Sequence, residues 1–160
     1  MALEWEQTLK DVISEVLETM FFAMVEFGES GGRELPFEYE SEIHLLNHKG
    51  RICISLRVSE EFARMITANF LGVEENQVDD DDLKDSLKEL ANMVGGGYHA
   101  LKNDAEWRLG IPGVWRIGPE YMSMNQCVPP LDFAFFGEPA GSAVLNYVPG
   151  RVEDREIIPN

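Results

Sequence analysis

The segment from Leu83 to Leu101 constrains the fold more than any other part of this sequence. Its apolar residues recur at steps of three and four, which predicts one long amphipathic helix with a buried face. The residues on that face are Leu83, Leu87, Leu90, Val94, Tyr98 and Leu101. At 3.6 residues per turn, a polar stripe lies on the opposite face, formed by Asp85, Glu89, Asn92, Gly96 and His99.

Three consecutive glycines, Gly95 to Gly97, lie inside this helical pattern. A glycine inside a helix costs about 1 kcal/mol relative to alanine, so the run invites two interpretations. In the first, Gly97 lets the helix approach a sheet closely, and Gly96 clears space on the polar stripe for another protein. In the second, the helix simply breaks at the glycines.

The amino-terminal segment also has helical periodicity. Its apolar residues run from Trp5 to Val25 with acidic residues on the other side, which predicts an amphipathic helix. We place Met20 and Met24 on its core-facing stripe. Gly28 and the pair 31–32 are predicted to end this helix.

The period changes to two at residue 37. Residues 37–45 alternate apolar and polar, which predicts a half-buried strand with a solvated acidic face. The turn 47–50 leads to a second strand with inward residues between 52 and 58, so we expect a hairpin. Ser59 then has the chemistry of a helix N-cap, and Gly72 the chemistry of a helix end.

The last part of the chain supplies the rest of the sheet. Asp79 to Asp82 precede the long helix, where aspartates cap free N–H groups, so we read them as a helix start rather than a metal site. Strands are predicted over 115–124, 131–136 and 142–148, with a turn at 137–141. The element order predicts an α/β fold of the α+β type, with a mainly antiparallel sheet packed against a long central helix and two further helices.

The length of 160 residues fits one domain, which we place at 1–150, followed by a polar tail or edge segment at 151–160. With 13 Lys+Arg against 29 Asp+Glu, the net charge is −16. Such a surface repels nucleic acid and anionic lipid, so we expect neither as a partner. The amino terminus is acidic where a signal peptide would be basic, and no apolar run could cross a bilayer, which predicts a cytoplasmic protein.

The remaining metal-ligand and thiol residues are scattered. Cys53 and Cys127 form no CxxC motif, so reduced thiols are favoured, although their sequence positions leave a disulfide open. His44 and His48 fall on the outer face of a strand and in a turn, which is a poor metal geometry. We therefore predict no metal site and no cofactor belonging to this chain.

Residues 85–96, DSLKELANMVGG, resemble the signature helix of the CheC/CheX/FliY chemotaxis phosphatases, and especially CheX-like domains. The preceding helix, hairpin and short helix, and the later LGIPGV at 109–114, extend the similarity over nearly the whole chain. The resemblance implies that Glu89 and Asn92 are the catalytic pair. Two-site members carry a second Glu-x-x-Asn, whereas the first helix here offers Glu15-x-x-Glu18 and Glu18-x-x-Phe21, with no amide at the required place, which implies a single-site member.

The activity that this resemblance implies is dephosphorylation of a phosphorylated CheY-like response regulator. Asn92 would orient the attacking water, and Glu89 would pair with the receiver lysine beside the phosphoaspartate. Asp85, Gly96 and His99 would lie at the partner contact. The receiver, and not this protein, would supply the divalent cation.

Two alternatives to catalysis remain open. One is a non-catalytic module that docks a receiver or a flagellar component. The other is a structural or dimerisation domain, in which Glu89 and Asn92 are ordinary surface residues. The resemblance implies that CheX-like domains pair through their sheets, and the apolar run 133–136 is compatible with a homodimer.

Overall fold

The structure is a computed structural model that describes residues 4–28, 37–103, 105–118 and 130–150. Within these ranges the elements in chain order are α1 (Glu4–Met20), β1 (Glu26–Gly28), β2 (Tyr39–Asn47), β3 (Gly50–Val58), α2 (Glu60–Leu71), a 3-10 turn (Glu75–Gln77), α3 (Asp80–Lys102), β4 (Arg108–Leu109), β5 (Gly113–Arg116), β6 (Leu131–Phe135) and β7 (Glu138–Pro149). No helix in these ranges is long and apolar enough to cross a bilayer.

The strands form a single antiparallel sheet. Its order is β1-β6-β7-β3-β2-β4, and β5 also pairs with β2. The inward residues of β2 and β3 share one hydrophobic core with residues of all three helices, so the helices cover one face of the sheet. The predicted α+β architecture, with a long helix and two further helices on an antiparallel sheet, is confirmed.

Helix α1 ends at Met20, five residues earlier than predicted. Phe21 is fully buried and stacks on Phe70 with 4.8 Å between ring centroids, and Phe22 adopts a left-handed backbone with φ of 54°. The chain therefore leaves the helix before Met24, which is 72% exposed rather than in the core. Gly28 does not end the helix, because it lies in β1.

The hairpin of β2 and β3 is confirmed, with Tyr39 opposite Val58 at its open end and Asn47 opposite Gly50 at the turn. The Asn47 side-chain oxygen accepts hydrogen bonds from the backbone N–H groups of Lys49 and Gly50 at 2.8 and 2.9 Å. This local side-chain bonding is the turn chemistry that the sequence indicated.

The predicted solvated acidic face of β2 is wrong. Glu40 is only 4% exposed, and its Oε1 accepts a hydrogen bond from Arg57 Nε on β3 at 2.9 Å. A buried carboxylate is tolerated because an opposite charge on the neighbouring strand pairs with it. Alternation alone could not reveal this pair, since its two members lie 17 residues apart in sequence.

The predicted starts of α2 at Ser59 and of α3 at Asp79 are both confirmed. Ser59 Oγ accepts a hydrogen bond from the Phe62 N–H, and Gly72 closes α2 in the left-handed conformation with φ of 70°. Asp79 caps α3 by accepting from the Asp82 N–H at 2.8 Å, while Asp82 accepts from the Asp79 N–H. This reciprocal capping fixes where α3 begins.

The later strands differ from prediction in their bounds. β5 is shorter than the predicted strand and starts at Gly113, and residues 119–129 lie outside the described residues, as does Cys127. The predicted turn at 137–141 is wrong, because Phe136 and Gly137 make the turn and β7 already starts at Glu138. The predicted tail, 151–160, also lies outside the described residues.

Helix α3 runs unbroken through its three glycines, so a break there is ruled out. A Cβ on Gly95 would lie 2.8 Å from Ile43 Cγ1 on β2, and one on Gly97 would lie 2.8 Å from Val12 Cγ1 on α1. Gly95, rather than Gly97, therefore permits the close approach to the sheet. Each fully buried leucine of α3 contributes about 1.5–3 kcal/mol, which offsets about 1 kcal/mol per glycine.

Gly95→Ala and Gly96→Ala should change stability in opposite directions. A methyl group at Gly95 would overlap Ile43, which is β-branched and held in a strand, and overpacking of this kind costs about 1–3 kcal/mol. A methyl group at Gly96 meets nothing within 4 Å, so the variant should gain up to about 1 kcal/mol of helix propensity. Chemical denaturation of the two variants beside wild type measures both effects, and equal shifts would contradict this packing.

Candidate functional site on helix α3

Glu89 and Asn92 lie on the side of α3 that faces away from the sheet. The rotation of the helix about its axis is set by eight buried positions. These are Leu83, Ser86, Leu87, Leu90, Ala91, Val94, Gly95 and Tyr98. Because Glu89 and Asn92 are three residues apart on the opposite side, they are neighbours on the helix surface, and both are half-buried.

Neither side chain has a polar partner within the part of the chain that the structure describes. Among the described residues, Glu89 and Asn92 form no hydrogen bond, ion pair or ring contact. The Asn92 amide therefore keeps a donor and an acceptor available, and the Glu89 carboxylate keeps its acceptor oxygens available. Both groups can engage a second molecule without first breaking a hydrogen bond or ion pair to any described residue.

The three other residues of the polar stripe differ in accessibility. Asp85 is exposed, and Gly96 leaves open space one turn beyond Asn92. His99 is half-buried, and its Nε2 is inaccessible and has no hydrogen-bond partner within the described ranges. Asp85 and Gly96 thus continue the open stripe beside the pair, whereas the inward side of the His99 ring is closed to a partner.

The electrostatic character of this stripe is acidic. Asp81, Asp85 and Glu89 follow one another at intervals of one turn, and the first two are exposed. The whole chain carries a net charge of −16, so the stripe attracts cationic groups of a partner. The matching feature in a partner would be a lysine, an arginine or a bound metal ion.

A second group of titratable side chains lies on the other face of the sheet. Glu42, His44 and Cys53 are half-buried, and their ligand atoms all lie within 4.8 Å of one another. Hydrogen bonds with Cys53 and with Glu42 raise the pKa of His44 to about 10. The hydrogen bond from His44 lowers the pKa of Glu42 in spite of its burial.

Sequence patterns did not reveal this second group, because its members lie on two different strands. His44 and Cys53 are opposite each other in the register of β2 and β3, although nine residues separate them in sequence. The expected poor metal geometry of His44 was based on the positions of the histidines alone, without Glu42 and Cys53. Cys53 is a free thiol in this structure.

A comparison with protein families matches the central part of the chain. The model of the family described as chemotaxis phosphatase CheX matches residues 45–129, which is more than half of the chain. The chain therefore belongs to the CheX family of chemotaxis phosphatases. No protein among those curated for function matches this sequence.

Several solved structures share the fold. The chemotaxis protein CheX from Vibrio vulnificus is 19% identical with a TM-score of 0.72, over 90% of this chain and 97% of that chain. CheX from Desulfovibrio desulfuricans is 18% identical with a TM-score of 0.71, over 91% of this chain and 100% of that chain. The CheX–CheY–BeF3–Mg2+ complex from Borrelia burgdorferi gives 16% identity and a TM-score of 0.72, over 90% and 97%.

Removing either side chain of the pair should leave the fold intact. Glu89→Ala and Asn92→Ala remove no hydrogen bond, ion pair or ring contact among the described residues, and substitutions of this kind usually change the free energy of unfolding by no more than about 0.5 kcal/mol. Thermal and denaturant unfolding should therefore place both variants close to wild type. A loss above about 2 kcal/mol would mean that the pair has a structural role, contrary to this geometry.

Proposed function

We propose that this protein accelerates hydrolysis of the aspartyl phosphate of a CheY-like receiver domain, with Glu89 and Asn92 entering the receiver's active centre. The observation that carries the proposal is the pair itself, whose two side chains lie side by side on α3 and form no hydrogen bond or ion pair with any residue that the structure describes. Membership of the CheX family supports it. A CheX of the same fold has been crystallised with CheY, BeF3 and Mg2+.

Asn92 orients the attacking water in this proposal. An acyl phosphate is already reactive, so catalysis consists mostly of placing a water in line with the leaving oxygen. A carboxamide can accept a hydrogen bond from this water and donate one to a phosphoryl oxygen at the same time. An aliphatic side chain can do neither. A carboxylate cannot donate the second hydrogen bond, and its charge would repel the phosphoryl group.

Glu89 anchors the complex. Receiver domains carry a lysine beside the phosphoaspartate, and the Glu89 carboxylate pairs with its ammonium group. This contact places Asn92 one helical turn away, over the phosphoryl group. The acidic stripe does not repel the receiver centre, because the lysine and the receiver's divalent cation offset the phosphoryl charge.

The chain itself contributes two side chains and no cofactor. The divalent cation and the phosphorylated aspartate belong to the receiver, and Asp85 and Gly96 border the contact. The accessible edge of His99 lies at its periphery. Because receivers are phosphorylated in the cytoplasm, this function assigns the protein to that compartment.

Decay of a phosphorylated CheY-like receiver tests the catalytic pair. Wild-type protein should accelerate decay, and Asn92→Ala should lose about 100-fold or more of the acceleration, since misplacing a reacting water costs at least this much. Glu89→Ala should raise KM, because the contact with the receiver lysine is lost. It should also lower kcat, because Asn92 is then no longer held over the phosphoryl group. Radiolabelled or fluorescence-monitored receiver, followed with and without each variant, gives these constants.

Glu18→Ala provides a matched control, since Glu18 is an exposed helical glutamate on α1, where a two-site member would have its second motif. This variant should retain the wild-type rate within about twofold, as expected for an exposed substitution on a helix that does not carry the pair. Full activity of Asn92→Ala would refute the mechanism. Receiver binding without any acceleration by wild type would favour the non-catalytic docking module instead.

Gly96→Ala separates partner contact from folding. The added methyl group meets nothing within 4 Å in this protein, so the variant should be as stable as wild type or more stable. If the receiver backbone occupies the space over Gly96, the Kd for a beryllofluoride-treated receiver should rise about 10-fold or more, equivalent to a clash of about 1.4 kcal/mol. An unchanged Kd would remove Gly96 from the interface.

A further inference from the structure

The outer face of the sheet carries a cluster of three different metal-ligand types. Glu42 and His44 project from β2 on the side opposite to Ile43 and Leu45, which are in the core, and Cys53 projects from β3 on the same outer side. The cluster is therefore separated from α3 by the sheet. Nothing in the phosphatase function uses these three side chains.

The ligand atoms of the three side chains all lie within 4.8 Å of one another. His44 Nε2 lies 3.0 Å from Glu42 Oε1, and Cys53 Sγ lies 3.6 Å from Glu42 Oε2 and 3.7 Å from His44 Nε2. Tetrahedral zinc with bonds of about 2.0–2.3 Å places such ligand atoms about 3.3–3.6 Å apart. The Glu42 carboxylate directs one oxygen to His44 and the other to Cys53, so rotation of this carboxylate, with small side-chain shifts, would bring one oxygen, the imidazole and the thiolate to these separations around one ion.

The donor set selects the kind of ion. Thiolate and imidazole are ligands of borderline and soft cations, whereas Mg2+ and Ca2+ take oxygen ligands almost exclusively. One sulfur, one nitrogen and one carboxylate oxygen fit Zn2+ best among abundant divalent ions. Three protein ligands leave the fourth tetrahedral position for water, and Ser55 Oγ, 3.7 Å from Cys53 Sγ, is close enough to hydrogen-bond the thiolate or that water.

The backbone holds this geometry in place before any ion binds. β2 and β3 are adjacent strands in the interior of the sheet, and their register sets His44 directly opposite Cys53 and Glu42 opposite Ser55. The three side chains are also half-buried, which limits competition from bulk water. We propose that Glu42, His44 and Cys53 form a Zn2+ site with an open fourth position on the outer face of the sheet.

Metal titration of the purified protein tests this site. Protein stripped with a chelator should bind one equivalent of Co2+, with a sulfur-to-metal charge-transfer band and the intense visible bands of tetrahedral Co2+. One equivalent of Zn2+ should then displace the Co2+. Stoichiometric binding without a sulfur band, or no stoichiometric binding, would overturn the proposal.

Single substitutions assign the ligands. Cys53→Ser should abolish the sulfur band and weaken Zn2+ binding at least 10-fold, since loss of even an outer partner of a metal ligand costs about 10- to 100-fold. His44→Gln should weaken Zn2+ binding to a similar degree. Cys127→Ser and His48→Gln are the matched controls. Both variants should bind Zn2+ with wild-type affinity.

Thermal unfolding adds a readout that is independent of the spectra. Saturating Zn2+ should raise the Tm of wild type, because the ion binds the folded state, and should not raise the Tm of Cys53→Ser. The unfolding transition of metal-free Cys53→Ser also verifies that this variant folds. Zn2+ binding by Cys53→Ser with wild-type affinity, or loss of the band in Cys127→Ser, would show that the site lies elsewhere.

Discussion

The contact between α3 and β2 at Gly95 and Ile43 is the constraint on which the rest of this structure depends. A Cβ at Gly95 would lie within 3.0 Å of both Ile43 branches, so only a glycine allows the helix to lie this close to the sheet. Gly97 makes the corresponding approach to Val12 on α1. The helix is thereby held between the sheet and a second helix, and its outer side faces solvent in a fixed orientation. This packing fixes the orientation of α3 and therefore the positions of Glu89 and Asn92.

Most of the architecture could be predicted from the sequence because its signals are local. The apolar periodicity of α3, the caps at Ser59 and Asp79 and the turn at Asn47 each depend on residues within a few positions of one another. The same periodicity also placed Glu89 and Asn92 together on the outer side of α3. The proposal that they form a catalytic pair rests on the family resemblance, since a single Glu-x-x-Asn spacing is by itself a weak signal.

The features that were missed depend on contacts between distant segments. Helix α1 ends at Met20 because Phe21 is buried against Phe70 of α2, and no pattern within 5–25 encodes this contact. The buried pair of Glu40 and Arg57 likewise exists only once β2 and β3 are in register. The alternating acidic residues of β2 therefore suggested a solvated face, whereas the structure pairs them with residues of β3.

The two faces of the sheet present their polar side chains in two different states. The inner face supports α3, on which Glu89 and Asn92 form no hydrogen bond or ion pair with another described residue, and the roles proposed for them require side chains that are available to a partner. The outer face does the reverse, since its charged and ligating side chains find partners across the strands. Rigid backbone with free side chains suits action in another protein's active centre. Rigid backbone with converging side chains suits the binding of an ion, because the ligands are already in place.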